Sequence, residues 1–267
     1  VYGQREVAFP RRIVCLSAES AEIACALGAG DRVVGVPGTA RRPAALRGKP
    51  RIGGFTTVRV DRILALEPDL VLAFSDLQKD VVRELVGAGL TVLCTNPRSF
   101  QDVLETILLI GGALGCERQA RELVADMQDE VRQVREYSAL WPDRPRVYFE
   151  EWPDPPIAGI GWVSDLIEFA GGRDIFADRA RAAAARERVV GLDEVAARDP
   201  QIIFASWCGR PVDLSAIARR PGWARVSAVR TGHLYELQGA DVLCPGPSLL
   251  VGLRKLHEAI QAFHATT

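Results

Sequence analysis

The chain has 267 residues, of which 48% are hydrophobic and 25% charged, and its formal net charge is −1 at pH 7. That length holds one large core or two lobes of ordinary domain size, and near-zero charge excludes a general nucleic-acid binder, which carries a basic surface. No apolar run reaches the ~18–20 residues of a membrane span. The longest candidate, VLETILLIGGALG at 103–115, is interrupted by Glu105 and a glycine pair and reads as a core helix. The opening VYGQREVAFPRR lacks the apolar core of a signal peptide. RIVCL (12–16) predicts a strand, and SAESAEIACALGAG a helix with Ser17 or Ser20 as N-cap and Gly28 and Gly30 at its end. RVVGV (32–36) predicts a second strand. VDRILALEP is a helix halted before Pro68, and DLVLAF is a third strand. QKDVVRELVGAG is a helix stopped by Gly87 and Gly89, and 90–94 is a fourth strand. Such alternation indicates parallel β-α-β units with covered sheet faces.

From 99 to about 140 the pattern becomes helical throughout, divided at GGALGC. In its long second part, Leu123, Met127, Val131 and Val134 recur at three- and four-residue steps, the stripe of a helix lying on a core. After WPDRP the alternation restarts with RVYFEE (146–151), WVSDLIEFAGG (162–172), LDEVAARDP (192–200) and QIIFAS (201–206). It finishes with the strand GHLYEL and an apolar helix over 248–263. Two stretches repeat one grammar: ALEPDLVLAF and AARDPQIIFAS align Pro68 with Pro200, 132 residues on, and with them Asp61 with Asp193, Ala65 with Ala197 and Ala73 with Ala205. The fold expected is α/β: two Rossmann-like lobes joined by one long backbone helix, as a lobe over 1–115, a helix over 116–142 and a second lobe over 143–267. Ligands of open α/β sheets bind beyond the carboxyl ends of the strands, so a ligand cleft between the lobes is expected.

RIVCLSAESAEIACALGAGDRVVGV and RIGGFTTVRVDRILALEPDLVLAF resemble the amino-terminal lobe of helical-backbone substrate-binding proteins of ABC importers, which carry cobalamin, ferric siderophores or haem. GWVSDLIEFAGGRDIF, PGWARVSAVRTGHLYEL and PGPSLLVGL resemble the second lobe. The resemblance covers nearly the whole chain, is nearest the cobalamin-binding branch, and implies an extracytoplasmic binding protein, periplasmic or lipid-anchored. It implies a monomer that hands a small ligand to a permease and ATPase complex, uses no cofactor and catalyses nothing. The residues agree: G-x-S-x-G, H-E-x-x-H and G-x-x-x-x-G-K-[ST] are all missing from the sequence. The three histidines, 233, 257 and 264, fall late in the chain, and His257 and His264 are expected to face solvent.

The candidate ligand contacts are Glu19, Thr39, Phe55, Phe74, Glu151, Trp152, Trp162, Trp207, Cys208 and Asp241. By resemblance, Phe55 and Phe74 fall where the cobalamin branch supplies aromatic contacts, and Thr39 where a Tyr often sits. Flat rings suit a large macrocycle, each burying ~150–250 Å². Phe74 and Trp162 read equally as core, whereas Trp152 and Trp207 follow strands already rich in aliphatic residues. The other polar groups in these loops, Glu150, Asp154 and Ser206, are acidic or neutral. Carboxylates there accept hydrogen bonds from the amides of a corrinoid and repel an anionic siderophore, for which Arg41, Arg42 and Arg210 are the nearest cations. Haem fits less well, because its propionates want cations and its iron a Tyr or His. The six cysteines are scattered without a C-x-x-C pair. Cys208 and Cys244 are expected to be inert, although a pair or a soft-metal contact stays open. Permease docking is carried over onto Asp80, beside Lys79 and Asp76, and onto Asp213. Two alternatives remain: a ferric-siderophore or other metal-chelate binder, and a cytosolic α/β enzyme or regulator on the same scaffold.

Overall fold

A computed structural model describes residues 8–182 and 184–266. Residues 1–7, which begin the VYGQREVAFPRR segment, lie outside the described residues, as do 183 and 267. The chain forms two compact α/β units, one comprising the chain through Pro97 with Leu104–Asp126, the other Arg98–Val103 and the chain from Met127 onward. No helix among the described residues is long and apolar enough to cross a membrane.

The first unit is built on four parallel strands, β1 (Ile13–Cys15), β2 (Val33–Gly35), β3 (Leu70–Phe74) and β4 (Val92–Thr95), in the order β2-β1-β3-β4. Helices α1 (Ala18–Ala26), α2 (Val60–Leu64) and α3 (Lys79–Gly87) connect them. The strand residues are buried on both faces in β1 and β3, as their continuous apolar runs require. Val14, Leu16, Ile52, Ile63, Val71 and Leu85 form the centre of this core.

The chain passes between units in α4 (Phe100–Leu114) and α5 (Glu117–Ser138). The division expected at GGALGC falls where Gly115 takes φ +67, a conformation costly for other residues, and the helix expected over 116–142 is α5. A Cβ on Gly111 would lie 2.4 Å from the Ala120 Cβ, so glycine there lets α5 start against α4. The buried stripe of α5 is Ala120, Val124, Met127 and Val131, with Leu123 and Val134 half-buried beside it.

In the second unit β5 (Arg146–Pro153), β8 (Ile202–Ala205) and β9 (Leu234–Glu236) are parallel, and β7 (Arg173–Asp174) pairs with the start of β5. The strand expected over 146–151 runs on to Pro153 and returns antiparallel as β6 (Pro156–Ala158). Helices α6 (Gly161–Phe169), α7 (Ala177–Ala180), α8 (Leu192–Arg198), α9 (Leu214–Ala218), α10 (Ser227–Thr231), α11 (Gly239–Val242) and α12 (Leu249–Thr266) complete it. Tyr148, Phe176, Ile203, Trp223 and Val226 lie at its centre. His257 and His264 do not face solvent freely as expected. Both pack on Trp141, His257 stacked at 4.9 Å and His264 at 4.7 Å between ring centres, because an indole left by the chain after α5 needs apolar cover. His233 is buried, its Nδ1 3.1 Å from the Tyr235 hydroxyl, and burial lowers its pKa.

Candidate functional site

At the carboxyl end of the first sheet the chain leaves β1 through Leu16 and Ser17. The Ser17 hydroxyl caps α1, accepting from the Ser20 N–H at 3.4 Å and donating to the Ser20 Oγ at 3.0 Å. The chain leaves β3 at Phe74, turns at Ser75 with φ +63, and enters a short turn ending in Gln78. Gln78 is 1% exposed and ties three segments together. Its Nε2 donates to the carbonyls of Leu16 (3.1 Å) and Phe55 (2.8 Å), and its Oε1 accepts from the Phe74 N–H at 3.0 Å. The amide is fully satisfied by backbone, and it fixes the two phenylalanines relative to each other. Their rings are 6.1 Å apart, tilted by 52°, and both are half-buried, so each keeps an open surface. Nothing in the sequence pointed to Gln78, because all three of its partners are main-chain groups with no residue-type signature.

Glu19, in the first turn of α1, is buried, and its Oε1 has no hydrogen-bond partner. Burial lifts its carboxyl from the ordinary 4.5 to about 7, against the pull of its own N–H and the Ser17 hydroxyl. Thr39 is exposed in the loop after β2. Asp80, proposed from sequence for docking, is exposed in the first turn of α3, 3.7 Å from Arg83.

The second sheet ends differently. Glu150, near the end of β5, is 0% exposed yet saturated with partners. Arg220 clasps it with two hydrogen bonds of 2.5 and 2.9 Å, the Trp207 indole donates to it at 3.1 Å and the Tyr148 hydroxyl at 3.2 Å. Trp207 therefore packs in the core of this unit, where the sequence alone suggested a ring in an open loop. Its indole N–H is pulled inward by the buried carboxylate. Trp162 is likewise core, with its indole donating to the Val242 carbonyl at 2.9 Å. Asp241 is buried and paired with Lys255 at 2.7 Å.

Trp152 keeps part of its surface. It lies within β5, not in a loop after it, opposite Ile157 of β6. Its indole donates to the Asp154 carbonyl at 3.0 Å and the Arg210 guanidinium lies 5.4 Å from its ring centre, a cation–π distance. Glu151 is half-buried and bound at 2.6 Å by Arg188, which itself is 3% exposed. Cys208 is exposed and Cys244 half-buried, and all six cysteines are free thiols. Among the described residues no cluster of three His, Cys, Asp or Glu side chains is arranged to hold a metal. Asp213 is exposed and caps α9, accepting from the Ala216 N–H at 2.8 Å.

Residues 13–240 match the model of a family described as periplasmic binding protein. An uncharacterised ABC transporter substrate-binding lipoprotein of Bacillus subtilis (strain 168) is 30% identical over 261 residues, which cover 94% of this chain and 80% of that protein. A vitamin B12-binding protein of Vibrio parahaemolyticus is 23% identical over 257 residues, covering 94% of this chain and 90% of its own. A solved structure of a possible iron-binding, periplasmic solute-binding protein from Staphylococcus epidermidis matches with a TM-score of 0.81 at 23% identity, over 94% of this chain and 98% of that one. At that identity the likeness is one of fold.

Proposed function

Because the chain belongs to the periplasmic binding protein family, we propose that it captures a corrinoid outside the cytoplasm and delivers it to the permease and ATPase of an ABC importer. The importer follows from the Bacillus subtilis relative and the corrinoid from the vitamin B12-binding relative, each an inference from what those proteins are named for. One observation carries the ligand class. Aromatic surface is left open at the strand ends of each unit, on Phe55 and Phe74 in the first and on Trp152 in the second, and within the second unit Arg220 and Arg188 are already paired with Glu150 and Glu151. Open rings and neutralised cations favour a broad, planar, weakly charged guest. An anionic chelate would ask for unpaired arginine or lysine.

Ultraviolet-visible titration of the protein with cyanocobalamin, haemin and a ferric siderophore separates the readings. Saturable binding of cyanocobalamin at micromolar concentration or below is expected. No spectral change with cyanocobalamin, together with saturable binding of haemin or the siderophore, would overturn the corrinoid reading and leave the family membership intact.

A further inference from the structure

Among the described residues of the first unit, Glu19 Oε1 is the buried side-chain oxygen that folding leaves without a donor. Its neighbours are satisfied: Ser17 and Ser20 bond each other and the backbone, Ser75 accepts from the Leu77 N–H, and Gln78 uses both ends of its amide. A buried polar oxygen without a partner costs free energy that a complementary donor recovers. Glu19 stands in the first turn of α1, just past the carboxyl end of β1, at the same end of the sheet as Phe55 and Phe74. We propose that Glu19 accepts a hydrogen bond from an amide N–H of the captured ligand, and that capture drives its proton into solvent. This rests on the corrinoid reading, since a corrin rim presents neutral amide donors.

The charge state of Glu19 makes the step observable. With its carboxyl lifted to about 7, chiefly by burial and less by Glu22, the free protein near neutral pH holds a mixture of acid and carboxylate. An amide donor stabilises the carboxylate more than the acid, so capture shifts the equilibrium toward the ion: the O–H bond of the acid breaks, its proton passes to buffer, and the oxygen accepts the N–H···O bond. The groups facing Glu19 do not imitate this titration. On β1 the Cys15 thiol is pushed up to about 12 by burial and stays neutral. On α1 itself are Glu22 and Cys25, whose thiol burial also raises. The turn Gly30–Arg32 behind the helix brings Asp31 and Arg32, and Arg32 is held by the carbonyls of Pro10 and Leu114 and by Cys116 Sγ. β3, which also packs on α1, has no titratable side chain over Leu70–Phe74.

The test is isothermal titration with cyanocobalamin at pH 6, in two buffers of different ionisation enthalpy, on the wild type and on Glu19→Gln. For the wild type, up to roughly 0.9 proton is released per ligand at pH 6, and affinity rises by up to about tenfold from pH 6 to pH 8. Glu19→Gln binds more weakly at pH 8, gives the same heat in both buffers, and loses the pH dependence. Wild-type binding with no proton exchange, or with proton uptake, overturns the inference and leaves the corrinoid reading standing. Release that persists in Glu19→Gln also overturns it. No binding of cyanocobalamin at all removes the corrinoid reading and this inference with it. The wild-type buffer comparison decides the matter even where the variant fails to fold.

Discussion

The helix–proline–strand segments of the two units can be laid on each other to the level of single hydrogen bonds. In both, a non-glycine residue sits in the left-handed region directly before the proline, Glu67 at φ +45 and Asp199 at φ +43. The residue after the proline grips the start of the neighbouring strand: Asp69 accepts from the N–H of Arg12, and Gln201 from the N–H of Arg146. An arginine at that strand start closes the helix end, Arg12 Nε reaching the Glu67 carbonyl at 3.1 Å and Arg146 Nε the Asp199 carbonyl at 2.8 Å. Strand register follows, with Ile13 opposite Leu70 and Val147 opposite Ile202. The strand exits then diverge. The first keeps a buried acid, Glu19, short of a partner beside half-open rings, while the second surrounds its buried acid, Glu150, with an arginine, an indole and a phenol. One backbone solution thus precedes two different strand exits, one with an unpartnered buried oxygen beside half-open rings and one whose buried acid is fully engaged.

Three changes in stability would break or sharpen that contrast. The largest is expected from Glu150→Ala, which leaves Arg220 in a buried setting without its carboxylate and costs about 3–5 kcal/mol in urea unfolding. A loss below 1 kcal/mol would mean that the network does not close the second exit. Next is the pH profile set by Glu19. Because its folded pKa is raised, the folded chain keeps a proton that the unfolded chain has lost between pH 4.5 and about 7, so stability falls as pH rises through that window and levels off above it. The drop amounts to roughly 3 kcal/mol, and Glu19→Gln should flatten it in a series of thermal melts. The smallest effects come from the repeated turn. Glycine at 67 relieves the left-handed strain of an exposed residue, so Glu67→Gly is expected to stabilise by about 0.5 kcal/mol once glycine's own entropy is subtracted. Asp199→Gly relieves the same strain but loses the carboxylate bonds to Arg146 and to the Ser227 N–H and hydroxyl, a net loss of about 2 kcal/mol. Equal responses at the two sites would erase the distinction drawn between them.

Much of this was legible in the sequence because it is written in period and punctuation. Continuous apolar runs marked the buried strands, Pro68 and Pro200 marked the strand entries, and the repeat of their surroundings marked the duplicated turn. The paired Arg12 and Arg146 escaped notice, since an arginine capping a distant helix end looks like any surface charge. The ring-bearing residues split for a similar reason. Phe55, Phe74 and Trp152 keep open surface, whereas Trp207 and Trp162 are drawn inward by acceptors far along the chain, Glu150 and the Val242 carbonyl. A tryptophan after a strand is ambiguous until its N–H partner is known. Gln78 and the orphaned oxygen of Glu19 are features of assembled geometry, and composition and spacing carry no trace of either.

The central claim is that open rings, and not the buried indoles, hold the ligand. The dissociation constants of Phe74→Ala and Trp207→Phe for cyanocobalamin, measured beside wild type, address it most directly. Removing the Phe74 ring is expected to weaken binding about tenfold or more, for a loss of 1–2 kcal/mol of stacking, while Trp207→Phe binds near the wild-type value at the cost of some stability. Wild-type affinity in Phe74→Ala with lost affinity in a folded Trp207→Phe would contradict the account.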